Sequence, residues 1–318
     1  MADYINIRGQ NIEVVASDPA NPTLGQIWYN STSNTLKGEN LGAASWASGN
    51  NMNTARSQFA GIGIQTAALA FGGEAPPPTN ATEEYDGSSW TASNNLNTTR
   101  VLLGGAGTQT AGLGFGGVST GYTGATEEYN GSTWTTSPGS LNTARSTFCG
   151  AGIQTAALGF GGNTGSPSAA TEEYDGSSWT TVNSLNTARR ELAGCGTQTA
   201  ALAFGGTPPA TGATEEYDGL SWATSAGSLN TARAQLGGAG TQTAGLAFGG
   251  EPITAATEEY NGTSWATSPG SLNTARSSVG GAGTQTVALA FGGYITSPTA
   301  ATEEWTGAAP TTVTITAS

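Results

Sequence analysis

The chain has 318 residues, with 49 Gly, no His and only 10% charged residues. The formal net charge is -13 and only nine Lys or Arg are present, too few for the basic patch that a nucleic-acid partner requires. Without His, the Ser-His-Asp and Cys-His mechanisms and His-ligated zinc are excluded, and two Cys cannot close a zinc site.

The opening residues, "MADYINIRGQ", lack the basic-then-apolar pattern of a signal peptide, and no apolar run reaches membrane-spanning length. The expectation is a chain made in the cytoplasm that does not insert into a membrane. Residues 1–40 stand outside any repeat. Within them "NPTLGQIWYNSTSNTLKG" reads as strand, polar turn, strand, with Ile27, Tyr29 and Leu36 as apolar faces.

From residue 41 to residue 307 the sequence is periodic. Phe of "FGG" falls at Phe71, Phe115, Phe160, Phe204, Phe248 and Phe291, and Trp falls at Trp46, Trp90, Trp134, Trp179, Trp222 and Trp265. Six of the nine basic residues keep the same step: Arg56, Arg100, Arg145, Arg189, Arg233 and Arg276. A period of about 44 residues identifies a repeat architecture. Each unit reads as four short strands, of the types "ARSQFAGIG", "TQTAALAFGG", "ATEEYDG" and "SWTTS". Gly density and β-branched alternation disfavour helix. "DG" or "NG" between the third and fourth strands is a hairpin turn, because both residues adopt positive φ readily. Four-strand units at this period are expected of propeller blades.

The Trp46 strand precedes the first "AR" strand, so it is expected to complete the last blade beside "ATEEW" at 301–305, which would tie the ends of the ring together. The tail 308–318 reads as one further strand without a fixed place. Strands facing the centre are rich in Gly and Ala, which predicts an open, wet channel. Cys149 and Cys195 lie in neighbouring units at non-equivalent places and read as small buried residues rather than a bridge.

An apolar strand ending in Gly-Gly, then Tyr, then Trp, then Arg before the next unit (Gly72-Gly73, Tyr85, Trp90, Arg100) resembles the kelch repeat. The resemblance covers roughly 260 residues and implies an all-β fold: a six-bladed kelch-like β-propeller with a short β-rich N-terminal segment. Only four residues separate Tyr85 from Trp90, so the turn between third and fourth strands is tighter than is usual in kelch blades.

"ATEEYDGSSW" and its near copies are the most chemical-looking feature. The expected role is architectural: one Glu of each pair meets the repeat Arg or a backbone amide, and the other faces solvent. Calcium requires converging oxygens and glycoside hydrolysis two carboxylates across a cleft, and six symmetric copies converge on no single point. "YDGSSW" is similar to the Asp-box of sialidases, but the Asp-to-Trp spacing differs and no matching Arg cluster is identifiable. Kelch-like copper oxidases require His ligands, which are absent. "TQT" supplies Thr hydroxyls without a base, and "IQT" replaces it in two units. No catalytic residue, metal or cofactor is assigned.

Function is instead sought where the copies differ. The turn between first and second strands is nearly constant ("GAGTQT"), whereas the second-to-third connection reads "EAPPPTN", "VSTGYTG", "NTGSPSA", "TPPATG", "EPITA" and "YITSPTA". Variation confined to one face of a repeat fold is how such scaffolds carry a binding surface. The candidate contacts there are Tyr122, Tyr294, Pro77, Asn80 and Glu251. Aromatic rings stack on sugar faces and amides bond hydroxyls, so glycan is the expected ligand class; unselected drift in exposed loops is the alternative.

Gly25, Ile27, Trp28, Tyr29, Asn30 and Thr32 resemble a short module found near the ends of tailed-phage virion proteins, and the arrays resemble those of marine phage. These resemblances imply a virion structural protein (tail fibre, appendage or decoration). Other virion proteins would be held through the N-terminal segment, and host attachment would occur through carbohydrate binding. Self-association into a homo-oligomer is left open. A decoration protein without receptor binding is the second reading, and a glycan-degrading enzyme the third.

Overall fold

The computed structural model describes residues 12–316, and this part of the chain is all-β, without helix. Its strands form seven four-stranded sheets. The described residues divide into two compact units, one made of residues 12–44 with 307–316 and one of residues 45–306.

The terminal unit holds one sheet, in the order Glu13–Val15, Ile27–Asn30, Thr35–Leu41, Pro310–Thr314. The first pair is parallel and the other two are antiparallel. The tail is thus no free-standing element, because Pro310–Thr314 pairs with Thr35–Leu41. Leu36 is buried and Ile27 and Tyr29 are half-buried, while Trp28 on the opposite face is fully covered. The reason is Asp18, whose carboxylate accepts Trp28 Nε1 at 3.0 Å and Asn30 Nδ2 at 2.7 Å and pairs with Lys37 Nζ at 2.5 Å. The Lys37 contact, then Asn30 and Trp28, hold the Asp18 carboxyl down at about 2.

The second unit repeats one antiparallel sheet six times. The first consists of Ala60–Ile64, Ala67–Phe71, Thr82–Tyr85 and Trp90–Ser93, innermost strand to outermost. The innermost strands of the others are Gly104–Thr108, Cys149–Ile153, Ala193–Gly196, Gly237–Gly240 and Gly280–Gly283. Each innermost strand packs beside the next, and the sixth returns to the first, a propeller-like arrangement. The sixth sheet takes its outer strand, Ser45–Ser48, from the other end of the unit, pairing antiparallel with Thr302–Thr306.

Glycine fixes two close approaches. Gly72 and Gly73 end the second strand with positive φ, and a Cβ on Gly72 would lie 2.8 Å from the Arg100 carbonyl oxygen. At the centre, a Cβ on Gly150 would lie 2.4 Å from the carbonyl oxygen of Gly105 in the neighbouring sheet. The innermost strands converge only because side chains there are nearly absent. They leave a central cavity of about 230 Å³ lined mostly by Gly and Ala, with Ile62, Cys149, Cys195 and a set of larger apolar side chains that includes Phe59 and Phe148.

One interface holds each sheet against the next. Phe71 of the first sheet packs on Trp134 of the second with ring centroids 4.8 Å apart. Trp134 Nε1 donates to Thr82 Oγ1 at 3.0 Å, so the indole buries its body and satisfies its one polar atom across the same seam. Gln109, between the first two strands of the second sheet, donates to the carbonyl oxygens of Ala68 (3.1 Å) and Tyr85 (2.6 Å) in the first. Equivalent Trp–Thr bonds occur at Trp46, Trp90, Trp179, Trp222 and Trp265.

Within each sheet a buried Arg ties the entering chain to the third strand. Arg189 Nη1 donates to the carbonyl oxygens of Gly205 and Ala213, and Nη2 reaches Glu215 Oε1 at 3.2 Å. Replacing Arg189 with Met should destabilise the protein by about 3–5 kcal/mol, because Glu215 stays buried without its cation. Arg189→Met with Glu215→Gln should recover part of that loss in chemical denaturation. Equal loss in the single and double variants would show that the ion pair itself is not what the fold depends on.

Candidate functional site

The six copies of Thr-Glu-Glu-Tyr, with Trp at the last place in the sixth, form third strands whose two sides face two neighbouring sheets. The first Glu (Glu83, Glu127, Glu172, Glu215, Glu258, Glu303) meets the repeat Arg in every sheet. Its second oxygen accepts a backbone amide of the preceding inter-sheet connection, such as Asn97 N on Glu127 or Asn186 N on Glu215, each at 2.6 Å. The Arg side chains are all buried, and each leaves its Nε without a partner.

The second Glu corrects the expectation that it faces solvent. Tyr174 donates its hydroxyl to Glu128 at 2.5 Å, Tyr217 to Glu173 at 2.8 Å, and Tyr129, Tyr260 and Tyr85 donate likewise to Glu84, Glu216 and Glu304. Each bond crosses from one sheet to the one before it. Stacked sheets bury the first Glu, while the second stays half-buried, its carboxylate shared between solvent and the tyrosine hydroxyl. The sixth sheet departs from this. Trp305 replaces Tyr, its Nε1 donates to Gln285 O at 2.8 Å, no tyrosine hydroxyl reaches Glu259, and Ser268 Oγ is buried without a partner.

This arrangement is poor material for acid-base chemistry. Burial first, and then the partner carboxylate, pushes the hydroxyls of Tyr129, Tyr174 and Tyr260 up to about 12. Asp86, Asp175 and Asp218 sit in the turns before the outer strands, where they accept backbone amides such as Ser89 N, which lower their carboxyls. Cys149 and Cys195 are free thiols; burial pushes Cys149 up to about 12 and raises Cys195 also, so neither is a ready thiolate. Among the described residues no three His, Cys, Asp or Glu side chains gather as a metal site.

The divergent connections sit at the end of each sheet where the second strand stops and the third begins. Pro77, Tyr122, Glu251 and Tyr294 are all exposed, Tyr122 at 43% and Tyr294 at 40%. Asn80 is engaged, since its Nδ2 donates to the Leu96 carbonyl at 2.8 Å and its own carbonyl accepts Leu96 N. Glu251 belongs to the fifth sheet, Tyr294 to the sixth, Pro77 and Asn80 to the first and Tyr122 to the second: four consecutive members of the ring.

Two functional groups escape the sequence reading. Gln65, Gln109, Gln154, Gln198, Gln242 and Gln285 bridge neighbouring sheets in every copy. Their signal was the invariance of Gln in "TQT" and "IQT", where the first residue changes. The second group is the residue two places after each repeat Arg. It differs from copy to copy and lines a cavity of about 220 Å³ at the end of the central space, on the divergent side.

No protein-family model matches the chain, and no curated protein matches it.

The tyrosine bonds give a defined pH response. The folded-state hydroxyls lie above the ordinary value of about 10, so their contribution is intact below pH ~10 and is lost as pH rises through the folded value. Stability should hold to about pH 10 and fall between about 10 and 12. Ultraviolet titration beside thermal melts checks this. All tyrosines ionising together near 10 would contradict the Tyr–Glu seams.

Proposed function

We propose that the chain is a six-bladed kelch-like β-propeller serving as a virion structural protein of a tailed phage, in a fibre, appendage or decoration. Its divergent face binds host-surface glycan. The observation that carries this reading is the division of labour between the ends of the sheets. Trp, Phe, Arg, Gln and both Glu are held by the same bonds in nearly every copy, while the connections carrying Pro77, Tyr122, Glu251 and Tyr294 differ in chemistry, and the one carrying Glu251 is also shorter than the other three. A rigid constant body with one varied face is suited to display. The resemblance of residues 25–32 to phage virion modules supplies the setting, with the terminal unit as the attachment to other virion proteins.

Binding rather than catalysis fits the carboxylates. All the repeated Glu but Glu259 are committed to Arg, amides or tyrosine, which leaves no opposed pair of free acids among them.

A purely structural decoration is the second reading, favoured by a separate observation. Ile64, Ile153, Val287 and Leu220 are exposed at the opposite end of the sheets, Leu220 at 75%. Apolar residues shared by one end suit packing against another subunit.

The test is binding of the full chain to a panel of bacterial surface glycans and to whole cells. Saturable binding weakened about tenfold or more by Tyr122→Ala with Tyr294→Ala is expected. A folded protein that binds none of them would move the assignment to the decoration reading.

A further inference from the structure

Each innermost strand is preceded by a residue in the left-handed region that is not glycine: Gln58, Leu102, Thr147, Glu191, Gln235 and Ser278, with φ between 51° and 58°. Side chains disfavour this conformation. Apart from Asn34, the chain gives its other left-handed positions, among the described residues, to glycine. Here it keeps a side chain six times, and five different ones.

The backbone does not require those side chains. Leu102 N donates to Gln58 O at 2.7 Å, Thr147 N to Leu102 O at 3.0 Å, Glu191 N to Thr147 O and Gln235 N to Glu191 O at 2.8 Å, and Ser278 N to Gln235 O at 2.7 Å. These bonds run from sheet to sheet around the axis and would form with glycine equally well. Residues one place before the ring bridge to the start of the divergent connections, as Ser57 does to Glu74 and Ser277 to Tyr294, so the ring shares their face.

The six side chains converge on the cavity of about 220 Å³, whose remaining lining is apolar and includes Phe59 and Phe148. Two carboxamides, two hydroxyls, a carboxylate and one aliphatic side chain form the rim. Gln235 Oε1 accepts Ser278 Oγ at 3.0 Å, which orients that amide. The one charged residue lining the cavity is Glu191, with Arg190 3.9 Å from its carboxylate, an arrangement that does not favour an anion. A polar, mostly uncharged rim over an apolar floor suits a neutral ring with hydroxyls at its edge and hydrocarbon on its face. The volume is below the range of about 300–1,000 Å³ that takes drug-sized ligands, and suits one ring.

We propose that this axial mouth is a binding site for a single sugar ring, with Glu191, Gln58 and Gln235 accepting and donating hydrogen bonds to its hydroxyls. The ligand class rests on the glycan reading above; the location and its residues do not.

The test titrates the full-length protein with free glucose, galactose, mannose, fucose and N-acetylglucosamine, followed by ligand-observed NMR. The wild type should bind at least one of them saturably. Glu191→Gln should weaken that binding about tenfold, as expected for loss of a charge-assisted bond. Thr147→Trp, which fills the mouth, should abolish it. If Thr147→Trp lowers the melting temperature, Leu102→Trp blocks the same mouth from the adjacent sheet. Absence of monosaccharide binding, or binding that survives the blocked mouth, overturns the axial site. Glycan or cell binding without monosaccharide binding sinks the axial site and leaves the display reading standing. Monosaccharide binding at the mouth with no glycan or cell bound does the reverse.

Discussion

The buried Arg–Glu pair is the interaction on which the rest of the repeat depends. Arg100 reaches Glu127 at 2.8 Å, and it also gathers the carbonyl oxygens of Ala125 and Gly116, one just before the third strand and the other just past the second. Glu127 in turn receives the amide of Asn97 from the incoming chain. One guanidinium and one carboxylate thus fix where a sheet begins, where its second strand stops and how its third strand is placed. Desolvating both ions offsets much of their attraction, so the gain is more in geometry than in free energy. A misplaced strand would leave a charge buried and unpaired, which is why the arrangement admits so little variation between copies.

Upon that frame the seams between sheets use each polar group once. The third strand turns Thr and the second Glu toward the following sheet and the first Glu and Tyr toward the preceding one, which is the alternation any strand imposes. Indole, hydroxyl and carboxamide then meet Thr, carboxylate and carbonyl across each boundary, except that no tyrosine hydroxyl meets Glu259 between the fifth and sixth sheets. Because such seams are satisfied by residues common to all copies, the rest of the repeat can change without loss of the ring. The changes collect in two concentric places on one face: the outer connections and the inner left-handed positions.

The sequence makes some of this legible and conceals the rest for physical reasons. Periodic Trp, Phe, Arg and Gly-Gly show strands, turns and repeat length, because each property depends on residue type alone. The partner of the second Glu was hidden by the repetition itself. When Glu128 and Tyr129 recur in every copy but the last, the sequence cannot show that the carboxylate is served by Tyr174 from the next copy rather than left to water. Gln109 was visible but had no evident partner, since it binds backbone carbonyls, which carry no sequence signature. The ring of Gln58, Leu102, Thr147, Glu191, Gln235 and Ser278 was hidden more deeply. Nothing in Leu or Glu announces a positive φ, and their divergence resembles ordinary surface variation until the backbone places them around one opening.

The shared sixth sheet bears on the order in which the molecule can assemble. Five of the third strands have an outer partner a few residues away, across a tight Asp-Gly or Asn-Gly turn, and such hairpins form locally and early. Thr302–Thr306 has no such neighbour and must wait for Ser45–Ser48, roughly 250 residues away. Five near-identical decoys are thereby occupied before the long-range search ends. The strand left open is also the one that carries Trp305 in place of Tyr, and its ring meets Trp46 with centroids 5.2 Å apart. The unpartnered Ser268 is the mark of this exchange: the Trp46–Trp305 contact keeps the place of the Tyr–Trp pairs of the other sheets, such as Tyr85–Trp90 at 5.1 Å, but gives up the hydroxyl. A chain of interchangeable copies thus has one strand that is not interchangeable, and its outer pairing cannot form until the two ends of the repeat array meet.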